Sequence, residues 1–246
     1  MTQPTAIVSG CAQGIGAAGV RDMAKNGWKL ALLDRDESVH DLAADVGAAH
    51  SAVVDASSAL ALEEAVHGAT TALGGVNAVW SNAGVQVSGG IESVTAEQWE
   101  QSWAVNVRAH AVLSRATLPS LRTSRGSFLV TASNSGLLAE SEMVAYSVTK
   151  AAAIALVRCL ARDNARSGIR FNALCPGYVD TAFNGPIWSL VGGRDQFLDE
   201  VETTIPLGRM ATAEEIGRLA AWLLTDERAA YMTGQAIVAD GGEILV

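Results

Sequence analysis

Thr5-Ala6-Ile7-Val8-Ser9-Gly10-Cys11-Ala12-Gln13-Gly14-Ile15-Gly16 runs a short aliphatic strand straight into a glycine-rich turn that leads into a helix. That order puts the turn at the strand's carboxyl end, where N–H groups opening the helix can approach a pyrophosphate. Glycine permits both the tight turn and the close approach. Two frames compete. Gly14-Ile15-Gly16-Ala17-Ala18-Gly19 matches the dinucleotide fingerprint literally, whereas Gly10, Gly14 and Gly16 begin where the strand stops. The second is preferred, because the turn has to start at the strand's end. A tight connection with no ligand is the plain alternative.

The alternation continues along the chain. Residues 30–33, 52–54, 78–80, 127–130, 170–174 and 236–238 are aliphatic or β-branched runs, and helical periodicity covers 60–73, 96–121 and 145–165. Strand, helix, strand repeated this way predicts an α/β fold: one doubly wound parallel sheet with helices on both faces, a single domain over residues 1–246. Near-continuous apolar strands fit burial on both faces. No linker, low-complexity tract or repeat divides the chain. From Gly177 to Gly208 no regular period is evident, and a stretch of that length is a candidate lid or binding loop.

Of the 246 residues, 49% are hydrophobic and 17% charged, which suits a large core and opposes global disorder. A formal charge of −9 argues against a nucleic-acid partner, which needs a basic face. No basic-then-apolar leader is evident, and no apolar run reaches the roughly 18 residues of a membrane span. Cys11, Cys159 and Cys175 are scattered and odd in number, as expected of reduced thiols in a cytoplasmic protein. His40, His50, His67 and His110 have no ligand spacing, so no metal site is expected.

Two further features point to chemistry. Asp34 closes the second strand, where a carboxylate binds ribose hydroxyls and repels a 2′-phosphate; neighbouring Arg35 favours that phosphate. A helix-capping acid is the alternative for Asp34. Asp55, after the third strand, either reaches an adenine or serves as a turn acid. Tyr146 and Lys150 stand four apart on a helical stretch and so share a face. An ammonium near a phenol favours the phenolate, which predicts a lowered tyrosine pKa and a usable proton acceptor.

In this order the motifs resemble a classical short-chain dehydrogenase/reductase over nearly the whole chain. They are the Gly10–Gly16 turn, Asn82-Ala83-Gly84, Asn106, Ser133, Tyr146 with Lys150, Pro176-Gly177, Thr233-Gly234-Gln235 and Asp240-Gly241-Gly242. Each is common alone; the ordered spacing is specific. The resemblance implies a Rossmann-like fold and a catalytic set of Asn106, Ser133, Tyr146 and Lys150. It implies cofactor contacts from Gly10, Gln13, Gly14, Ile15 and Gly16, then Asp34, Arg35, Asp55 and Ala56. Asn82, Ala83 and Gly84, Tyr146 and Lys150, and Pro176, Gly177, Val179 and Thr181 complete them.

Ser133, with Ser135 as competitor, donates to a substrate oxygen; Tyr146 passes the proton and Lys150 also holds the nicotinamide ribose. Asn106 is a poor helix former at a helical position, so its side chain is expected to be hydrogen-bonded. The resemblance implies that it orders a relay water; a buried, cap-like asparagine is the other reading. Three departures stand out. Ser9 replaces a commoner threonine and keeps the hydroxyl. Ser81 stands where a second asparagine is usual, so its hydrogen bond is shortened or lost. Cys11 lies in the cradle, either oxidation-sensitive or inert.

The expected activity is NAD-dependent interconversion of a secondary alcohol and a ketone. The alternatives are an NADPH-linked reductase of 3-oxoacyl chains or other carbonyls, and a catalytically silent nucleotide-binding protein. Residues 178–207 are expected to cover the substrate, with Phe183, Trp188 and Phe197 as walls or as pins, and Gly185, Gly192 and Gly193 as hinges. Leu137, Glu140 and Met143 are further candidates for the pocket, and Glu140 and Glu142 oppose an anionic substrate. Alanine-rich helices with apolar residues on several faces, and the family resemblance, imply a homotetramer or homodimer.

Overall fold

Strands that are apolar on both faces need cover on both, and the chain supplies it with helices between successive strands. The computed structural model describes residues 3–225 and 227–245. The seven expected strands form as β1 (Thr5–Ser9), β2 (Lys29–Asp34), β3 (His50–Val53), β4 (Ala78–Ser81), β5 (Ser127–Thr131), β6 (Arg170–Pro176) and β7 (Ala236–Ala239). All pairs are parallel, in the order β3-β2-β1-β4-β5-β6-β7. The order reverses beside β1, and ligands of open α/β sheets bind at such a switch point, beyond the strands' carboxyl ends. Ser9 is level with Leu33 of β2 and Ser81 of β4, so three strands end together at that point.

The helices are α1 (Gly14–Lys25), α2 (Val39–Val46), α3 (Ala59–Leu73), α4 (Ala96–Trp103), α5 (Ala109–Ser124), α6 (Val144–Asn164), α7 (Gly185–Leu190), α8 (Arg194–Thr204) and α9 (Ala213–Thr225). On one face Ile7, Val79, Phe128 and Phe171 pack under Leu62 and Val66 of α3, Leu113 of α5, and Ile154 and Val157 of α6. On the other, Val8, Leu32, Trp80 and Leu174 pack under Val20 and Met23 of α1 and Ile216 and Ala220 of α9. Val144–Ser167, which is α6 and its terminal turn, is long and apolar enough to cross a membrane, with a mean hydropathy of 1.5. The sequence reading recognised no such run. Ala153, Ile154, Val157 and Ala161 bury one side of it against the sheet, as in a core helix.

Two other expectations are corrected. The aperiodic stretch after Gly177 contains α7 and α8, separated at Gly192 and Gly193, while Gly185 opens α7. Phe197 and Val201 are one helical turn apart and bury α8 with Ile205 and Met210. The single helix expected over 96–121 is two, joined by a π turn at Ala104–Arg108 that holds Asn106.

Candidate active site

The cradle forms where β1 stops. Gly10 turns the chain at φ +66°, and α1 starts after Gln13, whose side chain makes no capping bond. The first N–H groups of a twelve-residue helix therefore carry the dipole's positive end without a side-chain acceptor. A Cβ at Gly16 would strike the Gly10 carbonyl oxygen and come 2.7 Å from Cys11 Cα, so the turn closes only around glycine. Asn82 pins it from β4: Nδ2 donates to the Gly10 carbonyl, and Oδ1 accepts from Thr131 Oγ1 at 2.8 Å. Trp80 Nε1 donates to the same Thr131 oxygen at 2.9 Å.

Asp34 braces the turn from β2, accepting the Ala12 N–H at 2.8 Å and the Asp36 N–H at 3.0 Å. Asp55 accepts the Ser57 N–H at 2.8 Å, a turn acid that also faces the cleft. One cavity of about 410 Å³ runs from the cradle to Tyr146. Among the residues expected to touch a cofactor, all line it except Gly16, which packs behind the turn.

Ser133, Tyr146 and Lys150 line the far end of this cavity. Ser133 Oγ donates to Ser135 Oγ at 3.1 Å, and Ser135 Oγ donates to Glu140 Oε1 at 2.6 Å, so the two serines and the carboxylate form one chain. The Tyr146 side chain is buried, with the Ser133 hydroxyl beside its phenol. Lys150 Nζ lies 5.5 Å from the Tyr146 ring centroid and donates to the Thr131 carbonyl at 2.9 Å.

The expected lowering of the Tyr146 pKa does not occur in the protein alone. Burial pushes the phenol up; the Ser133 hydroxyl lowers it, while Glu140 and Cys175 add to the rise. Burial also pulls Lys150 down to about 8. Each partner favours its neutral form because burial penalises both charges.

Asn106 does not line the cavity. Its Oδ1 accepts the Val85 N–H and its Nδ2 donates to the Val85 carbonyl, both at 2.9 Å, with Thr149 Oγ1 a further acceptor at 3.1 Å. The side chain thus ties the π turn to the loop after β4 and to α6.

Ser81 keeps a hydrogen bond despite its short reach, because α5 brings His110 to it: Oγ and Nδ1 are 2.6 Å apart. Burial, with the charge of Lys150, pushes His110 down to about 3. The unfolded state binds this proton near pH 6.5 and the folded state does not, so stability is full above 6.5 and falls as pH drops toward 3. Between pH 7 and 5 this linkage removes about 2 kcal/mol. Urea midpoints at both pH values, compared with His110→Gln, should show the extra acid loss in the parent alone. Cys11 is also buried, and burial raises its thiol pKa far above the ordinary value, which makes it inert.

At the substrate end Glu140, Met143, Tyr178, Phe183, Asn184 and Ile187 line the cavity, whereas Leu137 is exposed and does not. Phe183 is a wall. Phe197 packs edge-on to Tyr178 at 4.8 Å, and Trp188 joins the same satellite core; these two are pins. Sequence reasoning missed Asn134 and Glu243, whose side chains bond at 2.8 Å. The signal available was position: one residue follows Ser133 and the other follows Asp240-Gly241-Gly242.

A family model described as enoyl-(acyl carrier protein) reductase matches residues 10–243. The chain belongs to the short-chain dehydrogenase/reductase family. Within that family, "Oxidoreductase UcpA" of Salmonella typhimurium is 33% identical, over 100% of this chain and 96% of the relative. Meso-2,3-butanediol dehydrogenase of Serratia marcescens is 30% identical, over 96% and 92%. Among solved structures, 3-ketoacyl-(acyl-carrier-protein) reductase from Brucella melitensis complexed with NADH matches with a TM-score of 0.86 and 26% identity, covering 98% of each chain. As a short-chain dehydrogenase/reductase the chain is an oxidoreductase using a nicotinamide cofactor. The glycine cradle and the uncapped start of α1 fit the pyrophosphate of that group.

Proposed function

We propose that this short-chain dehydrogenase/reductase interconverts a secondary alcohol and a ketone with NAD. The observation that carries the reading is one cavity with Asp34 at its cradle end and Ser133 beside Tyr146 at the other. Asp34 accepts from ribose hydroxyls and repels a 2′-phosphate, against the pull of exposed Arg35. The nicotinamide, when bound, supplies the hydride acceptor or donor. Ser133 Oγ donates to the substrate oxygen, and Tyr146 exchanges a proton with it at the phenol oxygen. Lys150 binds the nicotinamide ribose. A phenol held protonated is ready to give its proton to a ketone, so alcohol oxidation gains from higher pH.

A second reading, reduction of 3-oxoacyl chains, is favoured by the family model's description and the Brucella melitensis neighbour. The carboxylate of Asp34 weighs against NADPH in that role. Ser133, Tyr146 and Lys150, all intact, weigh against a silent nucleotide binder. We further place the protein in the cytoplasm as a homotetramer, with exposed Trp103 on α4 and Val148 on α6 as candidate contact positions.

The test is NADH formation with a panel of cyclic, aromatic and polyol secondary alcohols, repeated with NADP. Turnover only with NADP would overturn the cofactor assignment. Asp34→Asn keeps an acceptor for the Ala12 N–H but removes the charge. It should cut the NAD-to-NADP ratio of kcat/KM by about tenfold or more, as the loss of a charge-assisted hydrogen bond predicts.

A further inference from the structure

We propose that this active site selects alcohols or ketones that carry a positively charged amine close to the reacting carbon, with Glu140 and Glu243 as the residues that recognise it. The inference rests on the alcohol–ketone reading and names the substrate class. The catalytic Ser133 is followed by two residues that each hold a carboxylate. Asn134 Nδ2 donates to Glu243 Oε2 at 2.8 Å, and Ser135 Oγ donates to Glu140 Oε1 at 2.6 Å. Glu140 comes from the segment before α6 and Glu243 from the turn after β7, so two distant parts of the chain bring negative charge to one place. Glu140 lines the cavity. Glu243 does not itself line it; its Oε2 stands behind Gly177, which does, 3.1 Å from where a Cβ would stand.

The pocket itself is established independently, by the cavity in which Ser133, Tyr146 and Lys150 come together. What the carboxylates add is selectivity. Among the described residues neither takes part in an ion pair. Of the basic side chains lining the cavity, Arg35 sits beside Asp34 and Lys150 is bonded to the Thr131 carbonyl. The negative charge is felt locally. Burial raises Glu243 above the usual carboxylate range, and the charges of Glu140 and Asp240 add to it. Tyr178 is pushed up by burial and by Glu140, Glu243 and Glu200.

A cation would relieve this repulsion, an anion would compound it, and a neutral hydroxyl would gain hydrogen bonds alone. The walls suit an ammonium as well, since the Tyr178 and Phe183 rings line the same space and Phe183 stands 6.3 Å from the Tyr146 ring.

The experiment compares three probes of matched size, 1-amino-2-propanol, 1,2-propanediol and lactate. Binding is measured by calorimetry at neutral pH, with and without saturating NADH, so that no turnover is needed. The amine should bind about tenfold or more tightly than the diol, and lactate more weakly than either. Glu140→Gln and Glu243→Gln should each shrink the amine-to-diol ratio, and the pair together should bring it near one. An amine no tighter than the diol, or a ratio that neither variant moves, would overturn the proposal. Turnover of the neutral alcohols with NAD separates the two inferences. Turnover without amine preference removes only the substrate class, whereas amine preference without turnover of any probe removes only the alcohol–ketone reading.

Discussion

Tyr146→Phe is expected to lower kcat by about 10³-fold, within the span that general acid–base groups contribute, while NADH affinity changes by less than about threefold. The substitution deletes one oxygen atom. Because Tyr146 lines the cavity, with the Ser133 hydroxyl beside its phenol, the loss removes no packing contact. The variant should therefore unfold at nearly the same urea concentration as the parent. This combination separates catalysis from structure: a residue that mattered for packing would lose stability and activity together. Steady-state rates, NADH fluorescence titration and urea unfolding on one preparation are sufficient. Retention of more than about a tenth of the parental kcat would sink the assignment of Tyr146 as proton-transfer group, since proton transfer accounts for at least 10²-fold. In the parent, alcohol oxidation should rise with pH, because burial holds the phenol protonated.

The fold was legible because its signals are local and repeated. Seven apolar runs, each ending in a turn or helix start, left little choice but a parallel sheet, and the residue types at the ends of β1, β2 and β5 marked the cleft. Helices α7 and α8 were missed for a nameable reason. α7 has only six residues, and the glycine pair after it masks the Phe197–Val201 spacing of α8. The electrostatics of the catalytic pair were not legible at all. Spacing tells that Lys150 lies near Tyr146; only the fold tells that both are buried and that the lysine Nζ donates a hydrogen bond to the Thr131 carbonyl. Ser81 and His110 make the same point, since 29 positions separate two residues whose hydrogen bond offsets the missing asparagine. The π turn at Asn106 is a further case: it turns a residue of low helix propensity into the tie between α5, α6 and the loop after β4.

Gly10→Ala should weaken NADH binding by about 100-fold and cost about 3 kcal/mol of stability, from a strained φ and a backbone clash together. At φ +66° an L side chain is disfavoured, and its Cβ would lie 2.5 Å from both Cα and N of Ala83. Those atoms are main chain, so relief requires the whole Asn82–Gly84 segment to move. That movement strains the bond from Asn82 to the Gly10 carbonyl and, through Thr131, the network that ends at Trp80. The strained angle alone is isolated by Gly27→Ala, where φ is +81° and nothing lies within 4 Å of the added carbon. That control should cost about 1 kcal/mol and leave NADH binding unchanged. If Gly10→Ala binds NADH as the control does, the Gly10 turn is a mere connection between β1 and α1, and the cofactor is held elsewhere. If binding fails while the fold survives, the close approach of β1 to the Asn82–Gly84 loop is what shapes the cradle.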